Sequence, residues 1–166
     1  RKMRELDSAF WRRLSWAVCT RVVLPRALDV MVDATGFSLV SKSAWFCIRL
    51  GKRIRRRDCW KVHLAVDQRL LLILNWRATA FHRNDSPLFR RLLAGFRQLG
   101  LVFADAAYSC RANYQLVHER AGALFAPFKK NAGLKAKNCT AWRAAWHLYH
   151  RLYMVWKGIY HQRSKV

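Results

Sequence analysis

Two aspartates in an acid-poor chain each close an apolar run. Asp33 ends Leu28-Asp29-Val30-Met31-Val32-Asp33, and Asp105 ends Leu101-Val102-Phe103-Ala104-Asp105. Each run has the length and composition of a short buried strand. Small residues follow at once, Ala34-Thr35-Gly36 after the first and Ala106-Ala107 after the second. A carboxylate at the carboxyl end of a central strand is held rigidly at the rim of a sheet. Two of them from neighbouring strands can hold divalent metal between them, an arrangement suited to phosphodiester chemistry.

The charge fits a polyanionic partner for such chemistry. Lys and Arg number 32 against 9 Asp and Glu, a net +23 over 166 residues. That excess repels itself unless something neutralises it, and a phosphate backbone does so by exchanging its counterions for basic side chains. A structural nucleic-acid binder of the ribosomal kind, or a protein held on an anionic membrane surface, would account for the charge equally well. Neither gives a reason for acids at the ends of two strands. A disordered basic tail is excluded by composition, since 53% of residues are hydrophobic and eight are Trp. No apolar run approaches the roughly 20 residues of a membrane helix, and no signal peptide is visible. The partner is therefore expected to be DNA, with no membrane.

Five cysteines (Cys19, Cys47, Cys59, Cys110 and Cys139) are odd in number and widely spaced. Cys59 and His63 have metal-like spacing, but the second pair that a zinc site needs is missing. They read as ordinary thiols in a reducing cytosol, with a nucleoid-associated protein as the expectation. The chain opens on Arg1 and reaches Val166 inside a helical pattern, so it is expected to be part of a longer one.

The elements that must hold the two aspartates follow from periodicity. Leu6, Phe10, Leu14, Ala17 and Val18 predict a helix up to about residue 20, closed by Pro25. Strands are predicted at 28–34, at 60–67 and, after a turn at Gln68-Arg69, at 70–79. A dense basic run, Arg49, Lys52, Arg53, Arg55, Arg56 and Arg57, precedes the second strand and is a solvated loop or a DNA-backbone contact in equal measure. Asn84-Asp85-Ser86-Pro87 predicts a helix start, with Asp85 as a cap, and the helix is expected to run to about Leu99, where Gly100 stops it. Strand 101–105, a helix over 111–120, a short strand over 123–128 and a basic loop over 129–137 follow. Trp142, Trp146, Tyr149, Tyr153, Trp156 and Tyr160 recur at steps of 4, 3, 4, 3 and 4 and predict one long helix with an aromatic core-facing stripe. Arg143, Arg151, Lys157 and His161 fall on its other side. His63 and His82 are expected to be structural or exposed, as are Asp58 and Asp67 at turns or caps.

This order predicts an α/β protein: a ribonuclease H-like mixed sheet flanked by helices, with Asp33 on the first strand and Asp105 on the fourth. Its domains are expected to be the end of an N-terminal helical region over 1–27 and the sheet domain over 28–166, incomplete at its C-terminus.

Five stretches in order carry a family resemblance: Val32-Asp33-Ala34-Thr35-Gly36, Trp60 to Asp67, Ala104-Asp105-Ala106-Ala107-Tyr108, Pro127 to Ala132, and Tyr160-His161-Gln162-Arg163. Each is weak alone. Together the chain resembles the catalytic domain of insertion-sequence transposases of the Asp-Asp-Glu class, in the group with a Tyr-x-x-Arg-x-x-x-Glu signature. The resemblance implies that Asp33 and Asp105 bind two Mg²⁺ or Mn²⁺ ions together with a helix glutamate. It implies strand cleavage at transposon ends, then strand transfer into target DNA, with a homo-oligomer expected of the complete protein. Tyr160 and Arg163 would sit beside the site, where Arg163 could clamp a phosphate. Lys129, Lys130, Arg55, Arg56 and Arg57 would hold DNA backbones. The family's glutamate falls one residue beyond Val166, so the chain as given is expected to bind DNA with little or no strand transfer. Ala107 replaces a glycine frequent in the family and is expected to be tolerated.

Overall fold

The run that ends in Asp33 is the middle strand of a sheet. In a computed structural model that describes residues 8–22, 27–38, 51, 59–134 and 138–164, the strands are β1 (Leu28–Ser38), β2 (Cys59–Asp67), β3 (Ile73–Ala80), β4 (Leu99–Ala104) and β5 (Ala123–Phe125). Their order across the sheet is β3-β2-β1-β4-β5. β1 pairs antiparallel with β2, and β2 with β3; β4 joins β1 in parallel, and β5 joins β4 in parallel. The helices are α1 (Ser8–Val22), α2 (Ser86–Leu92), α3 (Arg111–His118), α4 (Thr140–Arg151) and α5 (Tyr153–Tyr160), with 3₁₀ turns at Ala106–Tyr108 and His161–Ser164. This is the expected mixed α/β sheet flanked by helices, and it is consistent with a ribonuclease H-like fold. The basic run containing Arg55, Arg56 and Arg57 lies outside the described residues, as do Cys47 and Asp58.

Alternation along the central strands builds a core on each side of the sheet. Leu28, Val30 and Val32 of β1, with Val102 and Ala104 of β4, face one layer and pack with Phe89 and Leu92 of α2 and Tyr114 and Val117 of α3. Met31, Leu101, Phe103 and Phe125 face the other layer, where Trp156 and Tyr160 of α5 cover them. Asp29 interrupts the apolar run for a structural reason: its carboxylate accepts a hydrogen bond from Leu101 N at 2.6 Å, tying β1 to β4 where their register shifts. Gly100 leaves room for that carboxylate, since a Cβ there would run into Asp29 Oδ1.

Several element boundaries differ from expectation. β1 runs on through Ser38 because β2 continues to pair with it. α2 stops at Leu92, well before Leu99: Gly95 turns the chain with φ +94, and a Trp16 ring occupies the space where a Cβ would stand. Gly100 is therefore a strand residue and not a helix stop. α3 ends at His118 and β5 at Phe125, both earlier than expected. The long aromatic helix breaks at Leu152, whose φ −124 and ψ 47 are not helical. The break has a packing reason. Trp142 belongs to the first core layer, whereas Trp156 and Tyr160 belong to the second. A straight helix could not serve both faces around the β5 edge. The stripe is core-facing as expected except at Tyr153, which is 47% exposed.

β2 divides against simple hydropathy. His63, Ala65 and Asp67 are buried, while Val62, Leu64 and Val66 are only half-buried.

Candidate active site

Parallel pairing of β1 with β4 puts Val32 opposite Ala104, so Asp33 and Asp105 are the next residues on adjacent strands. β4 ends there, while β1 continues beside β2 alone. Asp33 is exposed and Asp105 half-buried at this rim. Each carboxylate is steadied by a backbone amide. Asp33 Oδ1 accepts from Ala34 N at 2.8 Å, and Asp105 Oδ1 accepts from Ala107 N at 2.9 Å, capping the 3₁₀ turn Ala106–Tyr108. The remaining oxygens are hard, anionic donors, which fits Mg²⁺ or Mn²⁺ better than a thiophilic metal. Among the described residues no third acid, histidine or cysteine completes a metal-sized cluster with them.

Tyr160 comes to the same rim from α5. It is buried, its hydroxyl donates to Ala104 O at 3.3 Å, and it therefore packs against the residue just before Asp105. The Arg163 guanidinium lies 4.3 Å from the centre of the Tyr160 ring, a cation–π contact. Burial pushes the Tyr160 hydroxyl above its ordinary pKa; Arg163 opposes this, and the charges of Asp105 and Asp33 add to it. Tyr108 is raised too, by burial first and then by Asp85, Asp105 and Asp33. Both tyrosines thus feel both rim carboxylates.

Lys129 and Lys130 are exposed beyond Phe128, and Lys129 lines a depression that also includes Ala107 of the Asp105 turn. Lys130 does not line it. Asp67 fills the turn role expected of it, accepting from Arg69 N at 3.0 Å and Leu70 N at 2.7 Å.

Sequence reasoning missed a polar cluster behind Asp105. His63 is fully buried, with Nε2 3.0 Å from Thr79 Oγ1 and Nδ1 3.4 Å from Tyr108 Oη. Asp85 holds the expected N-cap position of α2, but its carboxylate is turned to another use. Its side chain makes no capping bond; Oδ1 takes the Lys61 ammonium at 2.8 Å and lies 3.8 Å from His63 Nδ1. The signal was available in part: Lys61 and His63 are two apart on a strand and so share a face. Nothing in the linear order placed Asp85 opposite that face. Tyr108 N in turn donates to Asp105 O at 3.2 Å, so the cluster backs the turn that carries Asp105. The thiols Cys19, Cys110 and Cys139 are free, and no helix among the described residues is long and apolar enough to cross a membrane.

Residues 25–164 match the family model described as a transposase DDE domain. No match is found among curated proteins or among solved structures.

Proposed function

The chain belongs to the transposase DDE domain family, and from that premise we propose that the Asp33–Asp105 rim carries metal-dependent cleavage and joining of DNA strands. The family generally uses divalent metal ions, and its partners are DNA. The finer reading is that Asp33 and Asp105 hold two Mg²⁺ or Mn²⁺ ions. The observation that supports it most is the parallel register Val32 to Ala104, after which the two acids follow side by side. Bound ions would supply Lewis-acid activation of the attacking hydroxyl and of the leaving oxygen. The protein's own share is positioning and charge. Amide hydrogen bonds from Ala34 and Ala107 fix one oxygen of each carboxylate and leave the other for the ion. Tyr160 ties α5 to the end of β4, and Arg163, held over the Tyr160 ring, offers a guanidinium to a phosphate beside the rim. Lys129 adds a cation in the depression that Ala107 of the Asp105 turn borders. Water attack at a transposon end frees a 3′-hydroxyl, and attack by that hydroxyl on target DNA breaks one phosphodiester bond as it makes another.

Two measurements test this. Mn²⁺ binding, followed by electron paramagnetic resonance of the free ion, should weaken in Asp33→Asn and Asp105→Asn by at least the roughly 10–100-fold that loss of an outer-shell partner costs. Nicking of supercoiled DNA under Mn²⁺ should be strongest in a version with a glutamate added directly after Val166, and should vanish when either aspartate is replaced. Unchanged Mn²⁺ affinity in both variants would refute the assignment. Nicking with no joining of a pre-cut end would make the protein a nuclease and not a transposase.

A further inference from the structure

We propose, resting on the reading above, that the depression beside the Asp105 turn binds one unpaired nucleotide of the DNA strand that crosses the two carboxylates. It measures about 630 Å³, and its lining includes Lys61, Phe81, Arg83, Asp85, Ala107 and Lys129. That volume lies within the roughly 300–1,000 Å³ of small-ligand sites. It borders the turn that carries Asp105 and reaches the strand that carries Asp33. On one side Ala107 donates its amide to Asp105. On the other, the Phe81 ring lies over Gly36, three residues past Asp33, so closely that a Cβ there would stand 3.0 Å from the ring.

The lining selects the ligand. Asp85 is matched by Lys61 at 2.8 Å, so neither charge dominates. Arg83 and Lys129 have no acidic partner among the described residues and leave the depression cationic. Phe81 is 37% exposed and presents an aromatic surface beside those cations, with Lys61 Nζ 5.4 Å from its centre. An anion carrying a flat, stackable ring satisfies both features, and a nucleotide is that ligand. A base inside a duplex keeps both faces stacked on its neighbours, whereas an unpaired base can lay one on an aromatic side chain.

The test is DNA binding by the full chain in EDTA, which makes it independent of any metal on the aspartates. A short oligothymidylate is compared with a blunt duplex of mixed sequence. Phe81→Ala should weaken the oligothymidylate about 5-fold or more, the lower end of what one base–aromatic stack is worth, and leave the duplex unchanged. Phe81→Trp should retain single-strand affinity, and an unaltered melting curve excludes unfolding as the cause. Lys129→Gln should reduce the salt slope of oligothymidylate binding by about 0.7, the share of one phosphate contact. Equal losses on both DNAs, or no loss on either, would overturn the proposal. If instead the stacking holds and Mn²⁺ affinity proves insensitive to Asp33 and Asp105, the subsite stands and the metal assignment alone falls.

Discussion

His63 shows how much one buried side chain can report about its surroundings. Burial lowers its pKa below the ordinary histidine value; the charge of Asp85 opposes this and that of Lys61 reinforces it. The folded protein thus favours the neutral ring, held between Thr79 and Tyr108. In the unfolded chain the ring takes up a proton near pH 6.5. The unfolded state then binds more protons than the folded one, so stability is full above about pH 6.5 and falls as the pH drops toward the folded pKa. Thermal melting of the parent chain should therefore move down between about pH 7 and pH 5, and His63→Gln should move less over the same interval. An equal shift in both would place the acid sensitivity elsewhere. The two rim aspartates were legible from sequence because each closes an apolar run. Asp85 stands at the cap position that its place before Ser-Pro predicts, but that local pattern gave no sign that its carboxylate would take Lys61 of β2.

At the scale of elements, the informative case is the final helical segment. Its aromatic spacing is regular through Leu152, and nothing local announces a break. Yet α4 sends Trp142 into one core layer, and α5 sends Trp156 and Tyr160 into the other. Trp156 stacks on Tyr160 with ring centres 4.5 Å apart and meets Tyr149 edge-on at 4.7 Å. Because Trp156 is 3% exposed, Trp156→Ala should cost about 3–5 kcal/mol, read from chemical denaturation. Loss of the α5 covering should also loosen Tyr160 from Ala104, so Mn²⁺ affinity should fall along with stability. A folded variant with undiminished stability would mean that α5 is dispensable to the second layer.

The whole molecule is dominated by its charge. Nearly all of its capacity for DNA should be electrostatic and non-specific, since +23 over 166 residues attracts any phosphate backbone. If six to ten phosphates are contacted, DNA affinity should fall by about 10³–10⁵ between 50 and 200 mM salt. A nearly flat salt response in a filter-binding titration would contradict this.

Charge, strand and helix order and the two rim acids are properties of one dimension. Composition and local periodicity carry them, and the sequence by itself determined them. Register and convergence are not of that kind. Which residue of β4 stands beside Val32, which face of β2 is buried, and whether Lys61, Phe81, Asp85, Ala107 and Lys129 border one depression all depend on contacts between residues far apart in the chain. Those contacts form only when the sheet pairs and the helices close over it, so only the tertiary structure decided them.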